Sequence, residues 1–248
     1  MPHPFGNDPV KYLKNNLLTL ESSLEDPGPE MVRRDGTVLV RLVDVSANWK
    51  TRFRNRHRKG LAALVPKSNQ RWWSKPTAVR AVIPAKAGEA DAFPAYICPW
   101  RTNHLCSMTL AGAAQVMFTG DMVGCTFGAG MANDKGGVRV GHANADHLFT
   151  GDGHSNADYA AQWKTQRDAL KAVGAGNRLV DPADYRTTVS RTYQTEVRKK
   201  SRMVTDQMGT VAITVGLWIN RRWEFYYQHQ VVDGGAQWRE GLELVKVG

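Results

Sequence analysis

The sequence predicts an α+β fold, a mixed or antiparallel β-sandwich flanked by helices, and three observations carry that prediction. Segments rich in β-branched residues outnumber helical ones, they do not alternate regularly with helices, and the last two face each other across a short turn. With 248 residues, 42% of them hydrophobic and 23% charged, the chain has the composition of a packed protein and a length suited to one main core. One domain over residues 1–248 is the expectation.

Taken in order, Asp8 followed by Pro9 reads as an N-cap and first helical residue. Val10, Leu13, Leu17, Leu20 and Leu24 then recur at helical spacing until Pro27, Gly28 and Pro29, which predicts a docking helix within residues 1–30. Residues 37–45 (TVLVRLVDV), bounded by Asp35-Gly36, predict a strand, as do 78–83 and 95–100. Ser155 with Asp158 three residues on resembles a capping box, and an Ala-, Gln-, Lys- and Leu-rich run then reaches Val173 before Gly174 stops it. Two further strands, 210–219 and 223–232, turn at Asn220-Arg221-Arg222 and form a hairpin.

Charge and cysteine usage narrow the function classes. A net charge of +10 favours acidic partners, whether nucleic acid, an anionic membrane surface or an acidic protein. The densest basic stretch places Arg52, Arg54, Arg56 and Arg58 on alternate positions, which in a strand is one face of arginines. It reads either as a solvated face or as a partner-binding surface. No nucleic-acid motif accompanies it, so nucleic acid is the less favoured partner. No apolar run approaches the roughly 18 residues that span a bilayer, and Met1 to Gly6 lack the pattern of a secretory signal. Cys98, Cys106 and Cys125 leave at least one thiol unpaired and show no CxxC spacing, which fits a reducing compartment.

The chemistry concentrates in 116–146, VMFTGDMVGCTFGAGMANDKGGVRVGHANAD. Two strand-like runs, 122–131 and 138–144, flank the turn-forming Asn133-Asp134. A turn centred there pairs residues whose numbers sum to 267 and sets Cys125 directly opposite His142, with β-carbons about 5 Å apart. A turn centred on Gly136-Gly137 raises the sum to 273 and sets Leu148 there instead. A thiol needs an imidazole to form its thiolate and later protonate a leaving group, so Cys125 is the candidate nucleophile and His142 its base. Gly124 removes a side chain where a carbonyl must approach. The N–H groups of Gly124 and Cys125 are candidate oxyanion donors, although a strand glycine also marks a bulge. This geometry predicts sulfur and imidazole within roughly 4 Å in a narrow, partly exposed cleft.

Phe118 to Cys125, FTGDMVGC, resembles the Thr…Ser-Gly-Cys signature of the cytotoxic necrotizing factor family of glutamine deamidases. The resemblance runs from Ile97 to Asn144 and includes Pro99-Trp100-Arg101 upstream and a glycine-rich turn leading to His142. Thr119 falls where the family's threonine sits. Val123 departs from the family's serine, and the turn before His142 is longer. The resemblance implies a β-sandwich with surrounding helices, an imidazole oriented by a main-chain carbonyl, and Thr119 beside the site. It also implies a bacterial toxin or effector, delivered by a non-classical route, that converts a target-protein glutamine to glutamate in the target cell's cytosol. A cysteine protease or transglutaminase with the same pair is the alternative enzyme. A basic, non-enzymatic module binding nucleic acid or an acidic protein is the alternative without chemistry.

Other features predict no further site. His142, His147 and His154 with Asp146 and Asp152 lack the helical His pair or carboxylate-rich loop of a metal centre, so neither a metal nor a cofactor is expected. Asn144 or Asp146 stands as an alternative orienter of His142. The tryptophans are scattered and read as core or rim.

Overall fold

The computed structural model describes residues 3–46, 78–145, 156–185, 208–233 and 238–248. Arg52, Arg54, Arg56 and Arg58 lie outside them, as do Asp146, His147, Leu148, Asp152 and His154. The architecture is α+β: a large mixed sheet curls around one core and packs a second sheet on its other face.

The predicted start of the first helix is present. Asp8 accepts a hydrogen bond from Lys11 N–H, Pro9 follows it, and α1 runs Pro9–Asn15. Its predicted length is corrected. At Asn16 the chain turns extended, the Asn16 amide donates to the carbonyl of Tyr12, and β1 (Asn16–Leu20) follows. Leu17, Leu18 and Leu20 are buried as strand residues, because β1 pairs in parallel with β3 (Ala78–Pro84). The leucine spacing satisfied a helix, and a distant strand overrode it.

The large sheet also contains β2 (Val38–Asp44), β4 (Phe93–Cys98), β6 (Val116–Thr119), β10 (Met208–Ile219), β11 (Arg222–Asp233) and β12 (Trp238–Lys246). Its order is β1-β3-β2-β4-β6-β10-β11-β12. Gln228 of β11 bonds to Leu13, Asn16 and Leu18, so the curl brings the two ends of the sheet together. Its central strands serve two cores at once. Ile97, Phe118 and Tyr226 face the inside of the curl, while their neighbours Tyr96, Met117 and Phe225 face the second sheet. Burial on both faces explains why these strands read as apolar runs without alternation. The β10–β11 hairpin turns on Asn220 and Arg221, both with positive φ, as a two-residue turn that follows strand twist requires.

The second sheet has the order β5-β8-β7-β9, from β5 (Leu105–Leu110), β7 (Thr126–Ala132), β8 (Val138–Ala143) and β9 (Arg178–Val180). On its outer face lies α2 (Asn156–Ala172), ended by Gly174 at φ +76°, and β9 leads into the short α3 (Pro182–Tyr185). A Cβ at Gly128 would stand 2.2 Å from the Ala175 carbonyl oxygen, and one at Gly130 would stand 2.0 Å from that of Gly174. The turn after α2 therefore sits directly on β7, which fixes the helix over the start of that strand.

Candidate active site

The predicted β7–β8 hairpin is present, but its register differs from both expected ones. Asn133 uses its side-chain oxygen to accept the N–H groups of Lys135 and Gly137, its own N–H bonds Gly137 O, and Gly136 takes φ +76°. These bonds centre the turn later than Asn133-Asp134, and a bulge between Ala129 and Ala132 adds one more residue on β7. Phe127 pairs with His142 and Thr126 with Ala143, so paired numbers sum to 269. The expected direct opposition of Cys125 and His142 is corrected: extending the ladder by one step sets Asn144 opposite Cys125.

A shift of two in the sum keeps every side chain on its face, since strand periodicity is two. Cys125, Asn144 and His142 therefore share the face turned toward the large sheet. His142 lies one diagonal step from Cys125, and Cys106 of β5 is its direct partner on the other side. Cys125 is buried at 3% exposure and His142 at 1%, in place of the partly exposed cleft expected from the sequence.

The Cys125 sulfur accepts hydrogen bonds from Trp100 Nε1–H at 3.0 Å and from Asn144 Nδ2–H at 3.2 Å. Both donors are held by the segment after β4. Trp100 N–H bonds Glu25 O, Arg101 grips Asp26 with two nitrogens, Asn103 N–H donates to Asn144 Oδ1, and Asn144 N–H donates to His104 O. Trp100, expected to be core or rim, is thus part of the site. Asn144, the alternative orienter of His142, points its amide at sulfur. Donors aimed at a sulfur stabilise negative charge on it.

Among the described residues neither ring nitrogen of His142 has a hydrogen-bond partner. The expected carbonyl near Thr119 does not orient the ring. Thr119 Oγ1 accepts the N–H of Thr214 instead and ties β6 to β10. Burial alone lowers the His142 pKa to about 4, so the imidazole is neutral at pH 7. Burial also raises the thiols of Cys98 and Cys106, which disfavours their thiolates.

Two residues missed in the sequence hold the main chain of the candidate nucleophile. Gln166 on α2 donates from Nε2 to Gly124 O at 3.0 Å, and Tyr185 on α3 donates its hydroxyl to Cys125 O at 2.7 Å. One signal for Gln166 was available. Gln162, Gln166 and Leu170 are one helical stripe, all buried, and glutamines in a core-facing stripe need partners there. Among the described residues no group of three or more His, Cys, Asp or Glu is placed to hold a metal ion, and no described helix is long and apolar enough to cross a membrane.

No protein-family model matches the chain, and none of the curated proteins does. Among solved structures it is similar to the C-terminal domain of CNFy from Yersinia pseudotuberculosis. That match has 9% identity and a TM-score of 0.29, and covers 62% of this chain and 61% of that one. The aligned part spans about three fifths of the solved domain, and a likeness of this degree does not bear on the chemistry of the site.

Proposed function

We propose that the chain is a cysteine-dependent amidohydrolase, a protein-glutamine deamidase, with Cys125 as nucleophile and His142 as base. The observation that carries this reading is the Cys125 sulfur itself. It accepts two N–H donors while a neutral imidazole with no hydrogen-bond partner among the described residues stands on the same face, one diagonal step along the hairpin. Diagonal neighbours on paired strands are about 7–8 Å apart, within reach of long side chains. No hydrogen bond to a described residue holds the His142 ring in its present rotamer. The FTGDMVGC resemblance supports the choice of a glutamine side chain as substrate.

In this reading His142 takes the Cys125 proton and the thiolate attacks the carboxamide carbon, forming the C–S bond and placing negative charge on the carbonyl oxygen. The N–H groups of Gly124 and Cys125 face that oxyanion. As the C–N bond breaks, His142 returns its proton to the nitrogen, which leaves as ammonia. A water deprotonated by His142 then adds to the thioester, the C–S bond breaks, and glutamate remains on the target. One uncharged side chain of the target becomes an anion, enough to disable a regulatory surface by local charge. Thr119 supports the β6–β10 side of the site. Arg52, Arg54, Arg56 and Arg58 serve to dock an acidic target, and the place of action is the target cell's cytosol.

The test is mass spectrometry of a cell lysate treated with wild-type or Cys125→Ala protein. The expected result is glutamine-to-glutamate conversion at defined target sites with wild type alone. New chain termini would replace this reading with a protease, and amine conjugates with a transglutaminase. Equal modification by the Cys125→Ala protein would remove the nucleophile.

A further inference from the structure

The chain entering β7 is gripped from two sides, by Gln166 from the outer face of the second sheet and by Tyr185 from the core between the sheets. Gln166 sits on α2 and Tyr185 on α3, at 1% and 0% exposure. The Gln166 amide has a defined orientation, because its Oε1 accepts the Thr126 hydroxyl at 2.6 Å, which leaves Nε2 to donate to Gly124 O. The Tyr185 hydroxyl donates to the next carbonyl, that of Cys125. Both peptide planes flanking the Cys125 Cα are therefore tied to helices, and α2 is seated by the close contacts of its following turn with the β7 glycines.

A trans peptide holds its C=O and N–H in opposite directions. Fixing Gly124 C=O toward Gln166 thus aims the N–H of Cys125 away from α2. Fixing Cys125 C=O on Tyr185 sets the following plane, and the two together define where the Cα–Cβ bond carries the sulfur. We infer that Gln166 and Tyr185 are positioning residues for acyl transfer: they clamp the peptide planes around Cys125 so that its sulfur and its N–H converge on one carbonyl group. This rests on Cys125 being the nucleophile. It goes further by assigning the alignment to two side chains on separate helices, one on the outer face of the sheet and one in the core between the sheets.

Two small probes separate alignment from thiol reactivity. With iodoacetamide, an S–C bond forms as iodide leaves, and no oxyanion develops. With p-nitrophenyl acetate, the thiolate adds to the ester carbonyl, an oxyanion forms, p-nitrophenolate departs, and water later releases acetate. The full chain is compared as wild type, Tyr185→Phe, Gln166→Met and Cys125→Ala, with labelled cysteines located by peptide mass spectrometry. Tyr185→Phe keeps the ring and removes one oxygen, and Gln166→Met keeps the length and removes the donor. The expectation is that both variants alkylate Cys125 within about twofold of wild type while acylation slows by roughly tenfold or more. Unchanged acylation in both variants, or a parallel fall in both rates, would overturn the inference. If wild-type Cys125 takes up neither probe faster than Cys98 or Cys106, the nucleophile assignment itself fails, and the clamp with it.

Discussion

Gln228 and His142 are almost equally hidden from water, at 2% and 1% exposure, yet one uses all of its polar capacity and the other uses none. The Gln228 amide donates to Leu13 O and Asn16 O, and its carbonyl accepts Leu18 N–H and the Gln230 amide. His142 has two ring nitrogens and, among the described residues, no partner for either. The first arrangement closes the curled sheet by stitching α1 and β1 to β11, and it leaves no capacity for anything else. The second lowers stability, because a buried polar group without a hydrogen bond costs about 1–3 kcal/mol. A group kept in that state beside a thiol is available for chemistry in a way that a saturated group is not.

The largest effect that can test this contrast is at Gln228. Replacing it with leucine strips Leu13 O, Asn16 O and Leu18 N–H of their shared partner in a site closed to water. The expected loss is about 3–5 kcal/mol of unfolding free energy, read from urea denaturation. A loss below about 1 kcal/mol would show that the amide is dispensable and that saturation does not mark a structural role.

At His142 the same kind of change should act differently. With its pKa lowered from 6.5 to about 4, the imidazole binds a proton more readily in the unfolded chain than in the folded one. Stability is therefore intact above pH 6.5 and falls as pH drops toward 4. At about 1.4 kcal/mol per pH unit the fall is about 3 kcal/mol. His142→Leu should unfold within about 1 kcal/mol of wild type at pH 7, since an apolar replacement leaves no orphaned nitrogen. It should also lack the histidine part of the acid-side loss. Urea midpoints at pH 7 and pH 4.5 decide it, and an unaltered acid slope in the variant would mean that His142 is not the neutral buried group.

What could be read in the sequence followed how local each signal was. Asp8-Pro9, the Gly174 stop and the Asn220-Arg221 turn act within a few residues, and all three stand where their chemistry places them. Leu17, Leu18 and Leu20 failed because their spacing allows either state, and pairing with β3, a distant segment, chose the strand. The hairpin register failed through one bulge and a turn fixed by the Asn133 side chain. The shared face of Cys125 and His142 survived that error because the shift was even. Tyr185 gave no signal at all, and Trp100 stood out only within the Pro99-Trp100-Arg101 resemblance, with nothing to tie it to the sulfur. Each reaches Cys125 from a separate part of the chain, brought there by sheet order.

The smallest effect is expected where the site's supports reach the surface. Arg101 and Asp26 form a two-point ion pair at 2.7 and 2.9 Å, with side chains 57% and 43% exposed. The guanidinium hydrogen bond holds the Asp26 carboxyl below its ordinary pKa, but such pairs in water contribute little and are screened by salt. The segment they brace has further ties: Trp100 N–H to Glu25 O, and Asn103 N–H to Asn144 Oδ1. Asp26→Asn should therefore leave the melting temperature unresolved from wild type. It should also leave iodoacetamide labelling of Cys125 unchanged, because both donors to its sulfur stay in place. If labelling instead changes several-fold and the change disappears in high salt, an exposed ion pair governs the sulfur's surroundings. The division between saturated buried supports and an uncommitted imidazole would then have to include the surface.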